Sequence, residues 1–330
     1  MRIVVAPDKF KGTATAGEIS SAIGDVLRAE GHEVVLVPMA DGGDGTLDAL
    51  GGANRTTTVT GPNGQPVEAQ WRLSKNVAVI EMALASGLVV AGGPEENDAL
   101  NATTRGTGEL ITAAIARGTK RVIVGLGGSA TTDGGLGAVE AIGSPARLRG
   151  VQVEVATDVN TLFVDAARVF GPQKGATAAQ VAFLEARLRG LAERYRDDFG
   201  VDIEDVRGSG AAGGLGGGLV ALGASIVSGF DLIAEELRLF EHIEQADVVI
   251  TGEGRLDAES FDGKVVGGVT EMAHEVGARV VVVAGAIDAG SDARLRDQDV
   301  SVSLSDRFGV DTAMNQPAQA SAEAVRDALK

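Results

Sequence analysis

RVIVGLGGSATTDGG, residues 121–135, is the stretch on which the fold turns. A β-branched run, Val122 to Val124, empties into Gly125, Gly127 and Gly128, then into Ser129, Thr131, Thr132 and Asp133 ahead of a helical segment. A strand ending in a glycine-rich turn at a helix start is a building unit of α/β proteins, and it leaves backbone N–H groups directed outward. Such a turn suits an anion, because glycine lets the backbone approach a phosphate and nearby hydroxyls or a carboxylate can hold phosphate or metal. An ordinary connection with an Asp or Thr cap has the same local sequence.

The same rhythm opens the chain. Arg2 to Ala6 is a continuous apolar run, fit for a strand covered on both faces. Thr15 and Glu18 form a capping box ahead of Ile19, Ala22, Ile23, Val26 and Leu27 at helical spacing; Gly31 stops that helix, and Glu33 to Val37 is a second strand. Residues 56–82 alternate instead, as antiparallel strands around a Gly-Pro-Asn-Gly turn. Helices are expected over 104–117 and from the Thr177/Gln180 capping box to Gly200, with a strand over 151–156. Within the glycine-dense run 208–219, the segment 208–213 reads as a loop letting the backbone approach a ligand or a neighbouring helix. From Asp247 the α/β rhythm returns: strand 248–251, a GEGRLD turn, a helix carrying Val265 to Val276, strand 279–284, a Gly-Ala-Ile-Asp turn, a weaker strand over 300–304 and a closing helix from Ala318. The expected fold class is therefore α/β with two domains. An outer Rossmann- or flavodoxin-like parallel-sheet domain takes 1–58 and 243–330. A second, mixed α/β domain, 59–242, is inserted into it, and the active site is expected in the cleft between them.

Composition narrows the function. A formal net charge of −17 argues against nucleic acid, whose binders present basic faces. With no cysteine, disulfides, thiolate catalysis and Cys-based zinc sites are excluded. The three histidines are scattered, which speaks against a His-rich metal site or a Ser–His–Asp triad. Aromatics are only 3%, so the core must be aliphatic. The N-terminal apolar run is too short for a signal peptide, and no window suits a membrane span, so the expected location is cytoplasmic.

The chemically unusual turns follow expected parallel strands: Asp8-Lys9 after the first, Asp41 to Asp44 after the second, and residues 251–255 after a later one. In an open α/β sheet the strand C-termini share one edge, where ligands bind, so these motifs should converge. Asp and Gly suit such turns on their own, but that does not account for Lys9, Lys11 and Arg255 in the same loops. Carboxylates, lysines and glycine-rich N–H turns together are the components of phosphoryl transfer. There is no Walker A motif, since Gly263-Lys264 is followed by Val265. Residues 208–213 match G-x-G-x-x-G, which admits a Rossmann-type NAD(P)-dependent oxidoreductase as an alternative, although the preceding VDIEDVR is not a convincing buried strand.

Taken in order, several segments resemble the type-I glycerate kinases: APDKFKGT (6–13), MADGGDGT (39–46), TGPNGQPV (60–67), IEMALASGL (80–88), TTRGTGELI (103–111), GLGGSATTDGG (125–135), FGPQKGA (170–176), GSGAAGGLGGGL (208–219), VITGEGRLD (249–257) and DGKVVGGV (262–269). The resemblance spans nearly the whole chain. It implies ATP-dependent phosphorylation of D-glycerate with Mg²⁺, commonly giving 2-phosphoglycerate; the partners are small molecules, and a homodimer is compatible with it. Carried onto these motifs, Lys9 faces the transferred phosphate or the substrate carboxylate, and Asp8 or Asp257 takes the hydroxyl proton. Lys11 and Arg255 bind substrate, Arg255 through its bidentate fork, and Asp41 and Asp44 bind substrate hydroxyls or metal. Gly127, Gly128, Ser129, Thr131, Lys174, Gly213, Gly214 and Glu253 hold the nucleotide, and Asp133 ligates Mg²⁺ or caps the helix. The segment 143–150 is shorter than the family's usual loop, and Thr132 replaces an Asn of the motif. These departures raise a third possibility, a non-catalytic sugar-acid or nucleotide-binding protein on a kinase scaffold.

Overall fold

In the computed structural model, which describes residues 1–330, strands form over Arg2–Val5 (β1), Glu33–Leu36 (β2), Arg55–Thr60 (β3), Pro66–Ser74 (β4), Val77–Glu81 (β5), Arg121–Gly125 (β6), Gln152–Ala156 (β7), Ser225–Val227 (β8), Val248–Leu256 (β9), Arg279–Ile287 (β10) and Val300–Ser303 (β11). The chain divides into two compact units, one of residues 1–41, 48–50 and 230–330, the other of 42–47 and 51–229. These limits differ from the expected borders at 58/59 and 242/243. β3 pairs with β4 in the second unit's sheet, and Phe230 and Ile233 pack into the first unit's core.

In the first unit the strands are all parallel, in the order β11-β10-β9-β1-β2. Successive side chains on a strand point to opposite faces, and a parallel sheet covered on both faces needs apolar residues on each. Val4, Val249 and Val282 accordingly pack with Phe230, Ile233 and Val265. Ile3, Val5, Ile250 and Val281 pack on the other side with Ile19, Ile23 and Val325. The helix Ala16–Ala29 starts at the expected Thr15/Glu18 capping box. Read along the chain, the strand order is that of flavodoxin-like sheets, with the winding direction reversing between β1 and β9, and ligands bind at the carboxyl ends of such a pair.

The GEGRLD turn expected after residue 251 is absent. β9 runs straight through it to Leu256, with Glu253 opposite Ala284 and Arg255 opposite Ala286 on β10, which likewise continues through the expected Gly-Ala-Ile-Asp turn. Gly252 serves close approach rather than turning: a Cβ there would lie 2.0 Å from the Val283 carbonyl oxygen.

The second unit has a six-stranded sheet, β3-β4-β5-β6-β7-β8, antiparallel from β3 to β5 and parallel from β5 to β8. Trp71 on β4 is fully buried; its indole N–H donates to Thr57 Oγ1 at 2.9 Å, and the Arg117 guanidinium lies 5.4 Å from its ring centroid. The helix Ala178–Phe199 opens at the Thr177/Gln180 capping box, ends at left-handed Gly200 and buries Leu184, Leu188, Leu191 and Tyr195. The segment 208–213, expected as a loop, is a turn over 208–210 that leads into the helix Ala211–Ala221 through left-handed Ala212, Gly213 and Gly214. The short link after Ile142 forms a single 3-10 turn, Pro145–Leu148, and β6 and β7 still pair in full register, Arg121 with Gln152 through Gly125 with Ala156. No helix is long and apolar enough to cross a membrane.

Candidate active site

At the carboxyl ends of β1 and β9 the first unit has a cavity of about 560 Å³ lined by Asp8, Lys9, Lys11, Asp41, Glu253, Arg255, Asp257 and Lys264. Seven of these eight were singled out from sequence; Lys264 was not, although the Gly263-Lys264 pair at a helix start was the available signal. Four carboxylates thus meet four cations, so a small anion can enter in spite of the acidic chain.

Strand geometry sets the arrangement. Val5 lies opposite Ile250, and the Asp8 N–H donates to the Gly252 carbonyl at 2.8 Å, which carries the β1–β9 register onward and brings Asp8 beside Glu253. The Lys9 ammonium stands 3.5 Å from Asp8 Oδ1 and 3.3 Å from Asp41 Oδ1, while the Lys9 N–H donates to Asp8 Oδ1 at 2.7 Å. Burial raises the Asp8 carboxyl to about 6, and the Asp41 charge adds to the rise against the pull of Lys9. Burial raises Glu253 to about 7, helped by the charges of Asp8 and Asp257 and opposed by the Ser260 hydroxyl and Lys264. Glu253 Oε1 is buried with no hydrogen-bond partner. Asp257 Oδ1 accepts from the N–H groups of Glu259 and Ser260 at 2.9 and 3.1 Å. Exposed Arg255 is engaged by its fork with Asp288, at 2.9–3.3 Å, a partner the sequence did not announce.

The second unit presents the loop after β6. The N–H groups of Gly127, Gly128 and Ser129 have no acceptor within the chain, and Gly128 is exposed. Asp44 belongs to this unit and lies against the loop: a side chain on Gly128 would meet Asp44 Oδ1, itself buried and unpartnered. The turn carrying Asp44 is tied down by buried Glu81, whose Oε2 accepts from the N–H groups of Gly45 and Leu47 at 3.2 and 3.1 Å.

The remaining residues expected at the nucleotide lie behind this loop. Lys174 is 3% exposed, and its ammonium donates to Ser129 Oγ and to the Thr131 carbonyl, both at 2.7 Å. Burial lowers it to about 7, with Asp133 holding it up. Asn97 braces the same place, donating to the carbonyls of Ala130 and Lys174. Thr131 is fully buried. Asp133 accepts four hydrogen bonds: at Oδ2 from the Thr104 N–H, the Thr104 hydroxyl and the Gly137 N–H, and at Oδ1 from the Gly135 N–H. Ala138 N–H is taken by Thr104 Oγ1. The helix start that the sequence offered to an anion is therefore satisfied internally, and Asp133 acts as its cap.

Gly213 and Gly214 also face inward. At Gly213 (φ +69°) a Cβ would lie 1.9 Å from the Thr131 carbonyl oxygen. Gly213→Ala should therefore cost about 2–4 kcal/mol, overpacking plus left-handed strain. Gly200→Ala (φ +72°, no atom within 4 Å) carries only the strain, about 1 kcal/mol. Calorimetric unfolding of the two variants separates the terms, and equal losses would contradict the packing role.

No three His, Asp or Glu side chains form a ready metal cluster. The run 208–213 follows no strand and is buried from Gly208 onward, so it lacks the strand–turn–helix setting of a dinucleotide fingerprint.

A model of the Glycerate kinase family matches residues 3–147 and 144–330, the two matches meeting at the short link after Ile142. Glycerate 2-kinase of Escherichia coli K12 is 41% identical, over 87% of this chain and 86% of its own length. Glycerate kinase of Halalkalibacterium halodurans is 37% identical over 95% and 93%. The crystal structure of a candidate glycerate kinase 2 from Salmonella typhimurium LT2 superposes with a TM-score of 0.82 at 34% identity, covering 100% of this chain and 99% of that one.

Proposed function

Since this chain belongs to the glycerate kinase family, we propose that it transfers the γ-phosphoryl group of ATP to the 2-hydroxyl of D-glycerate, giving 2-phosphoglycerate and ADP. The observation that carries the site assignment is the cavity at the β1–β9 switch point, where Lys9 stands among Asp8, Asp41 and Glu253.

The cavity takes glycerate. Lys11 and Arg255 meet its carboxylate, Lys9 faces the phosphoryl group as negative charge shifts toward the leaving oxygen, and Asp41 accepts from a hydroxyl. The amides of Gly127, Gly128 and Ser129 take the nucleotide phosphates, since orphan N–H groups in a glycine turn form a concave anion seat. Lys174 acts on that seat from behind by fixing the Ser129 oxygen as acceptor, which leaves the Ser129 hydroxyl proton for a phosphate oxygen. One or two carboxylates would suffice to hold Mg²⁺, which keeps most of its waters beside substrate phosphates. Asp44 fits that role through its unpartnered buried oxygen, and Asp133, with four donors already bound, does not. When bound, the ion neutralises charge on the phosphates.

A coupled ADP-release assay across D-glycerate, L-glycerate and neighbouring sugar acids tests this. ADP should form with D-glycerate and depend on Mg²⁺, and phosphorus NMR of the product should place the phosphate on carbon 2. Absence of ADP release with D-glycerate would dismiss the kinase assignment.

A further inference from the structure

The sequence leaves the proton acceptor open between Asp8 and Asp257, and places Glu253 at the nucleotide. The geometry points elsewhere. Continuation of the β1–β9 register sets Asp8 and Glu253 side by side on one face of the sheet, at the mouth of the cavity both line. Asp8 Oδ1 is held by the Lys9 N–H and faces the Lys9 ammonium. Asp257 Oδ1 is committed to the turn that follows it, accepting from Glu259 and Ser260. Among the cavity carboxylates only Glu253 has an oxygen that is both buried and without a donor.

Resting on the kinase assignment above, we propose that Glu253 is the general base of the reaction, its Oε1 receiving the proton of the glycerate hydroxyl. The hydroxyl oxygen forms the new bond to the γ-phosphorus as the bond from that phosphorus to the β,γ-bridging oxygen breaks. ADP leaves with that electron pair, and the hydroxyl proton passes to Oε1, giving a neutral carboxylic acid that returns the proton to solvent as product departs. The groups facing Glu253 suit the task. Asp8 from the end of β1 and Asp257 from the end of β9 disfavour its ionised form, while Ser260 and Lys264, flanking the next helix, favour it. Lys9 lies one residue beyond Asp8 and offsets that carboxylate. The balance leaves an acceptor poised near neutral pH, where a base combines availability with proton affinity. Because the ionised form is the active one, turnover should rise as pH increases through about 7 and then level off.

The test is steady-state kinetics of the full chain with Mg·ATP and D-glycerate, from about pH 5.5 to 9, for wild type, Glu253→Gln and Glu253→Asp. In Glu253→Gln kcat should fall about 10²–10⁴-fold with both KM values nearly unchanged, and the rise through neutral pH should vanish. Glu253→Asp should keep that rise and recover part of the rate, which separates lost chemistry from lost folding. Should Glu253→Gln retain the rise and a near-normal kcat while wild type turns over, the proposal is overturned and the kinase assignment survives. Loss of the rise in Asp257→Asn but not in Glu253→Gln would give the proton to Asp257 and overturn it equally. A wild type that releases no ADP overturns both.

Discussion

Lys9→Ala should lower kcat/KM for D-glycerate by about 10²–10³-fold, the usual cost of removing one preorganised charge from a phosphoryl-transfer site. The ammonium lies between Asp8 and Asp41, 3.5 and 3.3 Å from their oxygens. Two effects follow from its loss. The anionic substrate then meets a cavity whose charge has turned net negative, so KM for glycerate rises. The Asp8 carboxyl, which Lys9 pulls down, moves further up. Lys9→Arg should rescue only part of the loss, because a planar fork does not place its charge where a compact ammonium does. Steady-state kinetics of the two variants, with circular dichroism to confirm folding, read the outcome. A folded Lys9→Ala enzyme within threefold of wild type would remove Lys9 from the site.

Asp133→Asn should lower the stability of the second unit by about 3–5 kcal/mol, with or without Mg²⁺. The carboxylate receives four donors while 3% exposed. An amide in its place must turn an NH₂ group toward at least one N–H, leaving a buried donor facing a donor, and the other bonds lose their charge assistance. Lys174 would also lose the anion that sustains its protonation, so the Ser129 contact should weaken and KM for ATP should rise. Calorimetry in the presence and absence of Mg²⁺ distinguishes a cap from a metal ligand. If the variant matched wild type without Mg²⁺ and differed only with it, Asp133 would be a ligand after all.

What the sequence made legible was local. Capping boxes at Thr15/Glu18 and Thr177/Gln180 fixed two helix starts because each closes within four residues. The convergence of Asp8, Lys9, Asp41 and Glu253 could be anticipated because parallel strands end on one edge. The misses have a common cause, which is partners distant in sequence. Glycines at 252 and 254 look like a turn until Val283 is known to run alongside. Asp133 offers the same letters to a metal or to a cap, and the decision belongs to Thr104. Lys174 reads as a loop lysine that holds the nucleotide, yet its ammonium is anchored on Ser129 and Thr131. The helix Ala211–Ala221 defies propensity altogether, since its glycines are selected by tight packing against residues such as Phe163 and Gly134.

The single tryptophan makes the two units optically unequal. Trp71, like the sole tyrosine, Tyr195, belongs to the six-stranded unit, so near-ultraviolet emission follows the melting of that unit while the five-stranded one stays dark. Far-ultraviolet ellipticity, by contrast, samples the helices of both. Denaturation curves recorded by the two signals will coincide only where the units lose structure together, so the unmodified chain carries its own gauge of their cooperativity.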